Sequence, residues 1–356
     1  IRSLLDRGAR VILMSHLGRP KGNQVAEMSL RPVAGRLEAL LGTPVTFVDD
    51  IIGEAATTAA GTLGDGEVML LENLRFDSGE EANDPTFAEA LADLGDVYVN
   101  DAFGSAHRAH ASTAGVTAHF EQCAAGYLMA RELEYLGNDL EDPSRPFVAI
   151  LGGAKISGKI DVIEALRWKV DHVLIGGGMA FTFLAAREAM IGKSMVDEER
   201  IEMAGKLLDA SARGEGAPLH LPIDAVVAAK LEPGQDHKTV PADAIPGDMA
   251  GYDIGGKTVE KWQSLISGAK TIVWNGPVGV FEVPPFDEGT TAIARMIATE
   301  TEQGAISIIG GGDSAAAIAR IGMTDKVSHV STGGGACLEY LEGKELPGVA
   351  LLTDKL

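Results

Sequence analysis

The sequence predicts an α/β protein with parallel sheets in two domains, and two observations carry that reading. Short apolar runs alternate with segments of helical spacing, the pattern of parallel strands covered by helices on both faces. Glycine is abundant, at 44 of 356 residues, and aromatics make up only 5%. That balance suits many short strand-to-helix turns better than an aromatic-rich sandwich. The length suits about two domains of roughly 150 residues each. Nine candidate strands are also many for one sheet, which supports two.

Taken in order, Ile1–Leu5 reads as the middle of an amphipathic helix with no initiator Met, so residues are expected upstream. Strands are expected at Arg10–Met14, Pro44–Val48, Val68–Leu71 and Val97–Val99 in the first half. In the second half they are expected at Phe147–Leu151, His172–Ile175, Pro218–Leu221, Thr271–Trp274 and Ile306–Ile309. Apolar spacing predicts helices over Leu30–Leu41, Pro85–Leu94, Lys159–Val170, Asp197–Arg213 and Gly289–Thr299. Residues 127–141 favour a connecting helix, Asp142-Pro143 ends it, and Pro146 opens the second sheet. Leu338–Leu341 is a short helical stretch before a tail.

Composition excludes several classes. The chain is 46% hydrophobic and 23% charged, as ordinary globular proteins are. Its net charge of −21, from 30 basic and 51 acidic residues, argues against nucleic acid or an anionic membrane as a partner. Two cysteines, Cys123 and Cys337, make no disulfide framework and point to a reducing, cytoplasmic compartment. No apolar run approaches the ~20 residues of a membrane-spanning helix, and no signal peptide is visible.

The chemistry centres on residues 146–160. The apolar run Phe147–Leu151 breaks at Gly152-Gly153, and Lys155 and Lys159 follow four apart, on one face of a helix. A strand, a glycine turn and a helix start together present N–H groups and a positive dipole end to an anion. The stretch falls short of a P-loop, because Ile160 stands where the metal-binding Ser or Thr is needed. Phosphate binding of another kind, or an ordinary turn with surface lysines, fits equally.

Ligands of open α/β sheets bind at the carboxyl ends of strands. In the first half three such ends carry His16 and Arg19, Arg75, and His107, Arg108 and His110. Arginine with histidine is a good receptor for a small phosphorylated acid. Each residue taken singly is equally read as half of a structural ion pair. His107 and His110 lack a third ligand at metal-site spacing. In the second half the strand ends carry glycine: Gly176-Gly177-Gly178, Asn275-Gly276-Pro277, Gly310-Gly311-Gly312 and Gly333-Gly334-Gly335. Glycine lets a ligand lie against backbone and frees N–H groups for phosphate. Asp313 suits a Mg²⁺–nucleotide or a plain helix cap, and Glu282 suits ribose hydroxyls or solvent.

These blocks together resemble phosphoglycerate kinase. They are Ser15-His16-Leu17-Gly18-Arg19-Pro20, Glu72-Asn73-Leu74-Arg75-Phe76, Asn100-Asp101-Ala102-Phe103-Gly104 with His107-Arg108-Ala109-His110, Gly152-Gly153-Ala154-Lys155, Gly176-Gly177-Gly178-Met179-Ala180, Trp274-Asn275-Gly276-Pro277-Val278-Gly279-Val280-Phe281-Glu282, Gly310-Gly311-Gly312-Asp313 and Ser331-Thr332-Gly333-Gly334-Gly335-Ala336. They come in the family's order and span nearly the whole chain. The resemblance implies two Rossmann-like domains separated by a cleft and hinge. Residues 1–140 would bind 3-phosphoglycerate and 141–336 the nucleotide, with the tail, 337–356, packing back on the first domain. It implies His16, Arg19, Arg75 and Arg108 for 3-phosphoglycerate. For Mg-ATP or Mg-ADP it implies Gly153, Lys159, Gly177, Gly255, Asn275, Pro277, Glu282, Asp313 and Ser314. Asp313 would carry the Mg²⁺, and Lys155 with the Gly333, Gly334 and Gly335 backbone would meet the transferring phosphoryl group. The family begins with a strand bearing an Asp and an Asn, then an Arg that reaches the transferring phosphate. This chain starts after all three, so an N-terminal stretch is expected to precede it.

The implied reaction is the reversible transfer of a phosphoryl group between ATP and the carboxylate of 3-phosphoglycerate, giving ADP and 1,3-bisphosphoglycerate in glycolysis and gluconeogenesis, by a monomer. A carboxylate nucleophile is ionised at pH 7 and needs no general base, in keeping with the absence of a base–nucleophile pair from the sequence. Two rivals are a nicotinamide-dependent dehydrogenase and a catalytically impaired fragment that still binds nucleotide. Against the first, no strand is followed by G-x-G-x-x-G with an acidic residue about 20 positions on.

Overall fold

The computed structural model describes residues 1–138, 140, 142–154, 156 and 158–353. The chain forms two compact units. Residues 1–129 and the C-terminal segment from Glu345 make the first, and Ala130–Lys344 the second.

In the first unit, β1 (Val11–Leu13), β2 (Val45–Val48) and β3 (Val68–Leu71) form a parallel sheet in the order β1-β3-β2. All four residues of the central strand β3 are buried, which is why it reads as an unbroken apolar run. A second parallel pair joins β4 (Tyr98–Asn100) to β5 (Cys123–Ala125). The strand β5 was not expected, because Cys-Ala-Ala is too short and too small to stand out as apolar. Helix Arg31–Leu41 has Pro32 in its first turn and ends on Gly42 at φ 75°. Helix Pro85–Ala92 starts on a cap, the Asp84 side chain accepting the Phe87 N–H at 2.9 Å. The C-terminal segment holds β4 and β5. Asn100 Nδ2 donates to Gly348 O (3.1 Å), and Thr353 exchanges hydrogen bonds with the Cys123 backbone.

The second unit is built on a six-stranded parallel sheet. Its strands are β6 (Phe147–Leu151), β7 (His172–Ile175), β9 (Leu219–His220), β14 (Thr271–Asn275), β15 (Ile306–Gly310) and β16 (His329–Val330), in the order β16-β15-β14-β6-β7-β9. Alternate residues of the two central strands, Val148 and Ile150 with Ile272 and Trp274, join one core with Trp262, Ile293 and Ile318. Those three come from helices Gly256–Ile266, Glu288–Glu302 and Gly312–Arg320.

Beside this sheet lies an antiparallel one that the sequence reading did not anticipate. It comprises β10 (Asp224–Ala228), β11 (His237–Pro241) and β13 (Ala250–Ile254), in the order β11-β10-β13. A small parallel pair, β8 (Met190–Ile191) with β12 (Ala244–Ile245), adjoins it through a shared core that includes Phe181, Val227 and Ile245. The reason for the miss is physical. The strand β11 is His-Lys-Thr-Val-Pro with no residue fully buried, and an exposed polar edge strand carries no apolar run.

Candidate functional site

Three strand ends of the first unit bring His16, Arg75, Arg108 and His110 together, with Arg19 on the loop that carries His16. The turn after β3 is sewn to the loop after β1 by Asn73, whose side-chain amide donates to Leu17 O (2.8 Å) and Met28 O (2.9 Å). Buried Glu72 accepts from Leu30 N–H (2.8 Å) and the Ser29 hydroxyl (2.6 Å) in the same seam. These bonds set Arg75, which is 7% exposed, donates through Nη1 to Gly18 O at 2.9 Å and lies 3.6 Å from Glu81. His16 is half-buried beside it. Burial, then the Arg75 cation, push its pKa down to about 4. Burial followed by Arg75 also lowers His110, which stands 3.8 Å from Glu80. Arg108 and Arg19 are exposed, and Arg108 Nε donates to His107 Nε2 at 3.1 Å. At neutral pH the cluster therefore offers guanidinium charge beside the neutral imidazoles of His16 and His110, chemistry suited to a small dianion.

The second unit builds its site from backbone. The glycine turns after β6, β7 and β14 pack directly on one another. A Cβ on Gly152 would lie 2.2 Å from Pro277 O, and one on Gly177 would lie 2.6 Å from Gly153 N. Gly152 N–H donates to Asn275 O, Gly153 N–H to Pro277 O and Gly177 N–H to Val278 O, at 2.8–3.0 Å. Glycine there serves the close approach of three backbones, and those N–H groups are committed to carbonyls rather than left free for phosphate. Lys159 reaches under the turns and donates to Gly152 O (2.6 Å) and Asn275 O (2.9 Å). Burial lowers its pKa to about 8, against an opposing pull from Asp313. Asn275 is buried and its side-chain amide nitrogen has no partner among the described residues. The Ser314 hydroxyl accepts the Gly276 N–H at 2.5 Å.

A cavity of about 580 Å³ opens in front of these turns. Gly153, Gly177, Pro277, Glu282 and Asp313 line it. Asp313 is exposed in the first turn of helix Gly312–Arg320. Lys159, Asn275 and Ser314 sit behind that lining. Gly255 is not itself part of the lining, though Asp253 and Ile254 before it are, and a Cβ there would meet the Asp224 carboxylate at 2.3 Å. The far wall is apolar and comes from Phe181, Met195, Leu231 and Tyr252. Sequence reasoning gave a role to none of the four: Phe181 stands in helix Met179–Ala185, Met195 and Leu231 in connecting segments, and Tyr252 in the antiparallel sheet. Lys155 lies outside the described residues.

The last glycine turn is held from the connecting helix Tyr127–Leu133. Fully buried Glu132 accepts from His329 Nε2 (2.8 Å), Thr332 N–H (2.7 Å) and the Thr332 hydroxyl (2.8 Å). Burial alone would raise its carboxyl, but these hydrogen bonds pull it below the usual range. Gly333 N–H donates to the Ser331 hydroxyl (3.1 Å), and Gly334 adopts φ 48°. The Gly334 and Gly335 N–H groups have no partner among the described residues.

The sequence model of the phosphoglycerate kinase family matches residues 1–344. The chain belongs to the phosphoglycerate kinase family. The phosphoglycerate kinase of Chlorobaculum tepidum is 56% identical over 99% of this chain and 89% of its own length, and that of Chloroherpeton thalassium is 55% identical over the same shares. Among solved structures, phosphoglycerate kinase from Coxiella burnetii superposes with a TM-score of 0.87 at 41% identity, over 98% of this chain and 87% of that one. Phosphoglycerate kinase from Pyrococcus horikoshii gives 0.86 at 31%, over 99% and 88%. The chain is thus a glycolytic kinase.

Such a phosphoryl transfer needs few proton-transfer groups, and among the described residues neither site pairs a nucleophile with a base. No helix among the described residues is long and apolar enough to cross a membrane.

Proposed function

We propose that the protein transfers the terminal phosphoryl group of Mg-ATP reversibly to the carboxylate of 3-phosphoglycerate, giving ADP and 1,3-bisphosphoglycerate. The observation that carries this reading is the division of labour. A guanidinium–imidazole cluster stands at the strand ends of one unit, and a 580 Å³ cavity floored by glycine turns stands in the other. We assign 3-phosphoglycerate to the first unit, on His16, Arg19, Arg75 and Arg108. The nucleotide goes to the second. Its apolar far wall suits a base, and Asp313, Lys159 and the unpaired Asn275 amide suit the phosphates.

Among the described residues no group of three or more His, Cys, Asp or Glu side chains is placed to hold a metal ion. A Mg²⁺ that arrives with nucleotide oxygens and its own waters needs only one protein carboxylate, so Asp313 fits it. The ion would neutralise phosphate charge as part of the substrate. The chain's own residues do the rest. Arg75 and Arg108 orient the phosphoglycerate so that its ionised carboxylate attacks in line. Lys155 and the Gly334 and Gly335 N–H groups stabilise charge on the transferring group. Both substrates must meet at one reacting centre, through the domain closure that the family resemblance implies. The same reading takes the protein as a cytoplasmic monomer, in keeping with two free, buried cysteines.

Phosphorus NMR of the protein with Mg-ATP and 3-phosphoglycerate tests the reaction. An acyl-phosphate resonance that requires both substrates is expected. ATP left intact by the folded protein with both present would refute the reading.

A further inference from the structure

One buried acid in the second unit has no role in the chemistry above. Asp253, in β13, is 2% exposed and lines the cavity. No cationic side chain pairs with it among the described residues. Its Oδ2 accepts the Gly289 N–H (2.7 Å), at the start of helix Glu288–Glu302, and its Oδ1 the Ile254 N–H (2.9 Å). Two glycines make room for it: a Cβ on Gly279 would lie 2.0 Å from Oδ1, and one on Gly289 2.4 Å. Burial raises its pKa well above the usual carboxylate range.

The surrounding contacts say what it holds. Where β13 pairs with β10, Val226 stands opposite Asp253 and Val227 opposite Gly251, so Tyr252 is a bulge. The Tyr252 carbonyl accepts the Val280 N–H (2.9 Å). Gly279 N–H donates to the buried Thr290 hydroxyl (3.1 Å). The segment 277–282 is thereby pinned to β13 and to the helix start. The same segment accepts the Gly153 and Gly177 N–H groups on Pro277 O and Val278 O. A carboxylate is a costly residue for such a place, since a buried charge without a counter-ion is unfavourable. Its two oxygens give a fixed spacing between two backbone elements that a single hydroxyl cannot.

We propose that Asp253 is a positioning residue of the nucleotide site. It sets the path of segment 277–282, and through it the Gly153 and Gly177 turns. This inference rests on the reading that the cavity takes Mg-nucleotide. Titration calorimetry with Mg-ADP and, separately, with 3-phosphoglycerate tests it on wild type, Asp253→Asn and Thr290→Val. Asp253→Asn sets an NH2 donor against one of the two N–H groups that the acid accepts, and should weaken Mg-ADP roughly tenfold. 3-Phosphoglycerate affinity should stay within twofold. Thr290→Val, which releases the second hold on the same segment, should weaken Mg-ADP about threefold with the same selectivity. It decides the matter if the Asp253 variant does not fold. Unchanged Mg-ADP affinity, or equal losses for both ligands, overturns the inference alone. Wild type that binds no Mg-ADP overturns the nucleotide reading and this inference with it.

Discussion

On the function proposed above, the two units meet one problem, holding a multiply charged anion, by opposite means. The first uses side chains. Arg75 is aimed by hydrogen bonds from its own guanidinium and from Asn73, and the flanking imidazoles are neutral because burial and Arg75 keep them so. The second uses main chain. Three glycine turns touch backbone to backbone, and a lysine is threaded beneath them onto two carbonyls. The difference teaches where each site is brittle. A side-chain site fails by losing atoms, and fails for its own ligand only. A backbone site fails by gaining atoms, and takes the surrounding fold with it.

The sharpest way to break that contrast is Gly152→Ala. The added methyl would meet Pro277 O at 2.2 Å, and backbone on both sides cannot give way cheaply. We expect a stability loss above about 4 kcal/mol, read by denaturant unfolding, together with loss of Mg-nucleotide binding. A variant as stable as wild type would mean the turns are looser than their contacts imply.

Next in size is Lys155→Ala. If its charge acts chiefly on the transferring group, kcat should fall about 10²–10³-fold with little change in KM for ATP. An unchanged kcat removes it from the mechanism. Arg75→Ala should weaken phosphoglycerate binding about 10–100-fold and leave nucleotide binding nearly intact, since the loss is of one charge-assisted contact in one site. Equal losses for both ligands would abolish the distinction between the sites.

The smallest effect is one of pH. Lys159 is an ammonium below about 8 and neutral above it. Polyphosphate favours the ammonium, so nucleotide affinity should drop about tenfold between pH 7 and pH 9. Lys159→Arg, which stays charged, should flatten that slope in the same titration. A wild-type slope equal to that of the arginine variant would exclude Lys159 as its source.

The architecture was largely legible in the sequence. The central strands β3, β6 and β14 are buried along their whole length and so write themselves as apolar runs. The antiparallel sheet was not, because β11 is polar and exposed and packing rather than pattern defines it. At the sites, pattern pointed to strand ends, which is where the parallel topology gathers residues from distant parts of the chain. What pattern could not convey was which way a glycine works. Gly152 and Gly177 look like open phosphate cradles in one dimension and prove to be contact points between backbones in three. Asp253 was invisible, since a single acid between Tyr252 and Ile254 looks like any solvent-facing strand residue until its neighbours Gly279 and Gly289 are seen to enclose it.

The anchoring of Gly348 and Thr353 on β4 and β5 bears on the order in which the chain is made. Gly348 N–H donates to Ala106 O at 2.9 Å, and a Cβ there would lie 2.9 Å from the Ala106 Cα, so the last segment fits closely into the first unit. All of Ala130–Lys344 leaves the ribosome before that segment does. Domains commonly fold in the order of synthesis, N-terminal first. Here the unit begun first is finished last, and the second unit is free to fold while β4 and β5 still await their partners. A chain cut before Glu345 would leave β4 and β5 without the hydrogen bonds of Gly348 and Thr353.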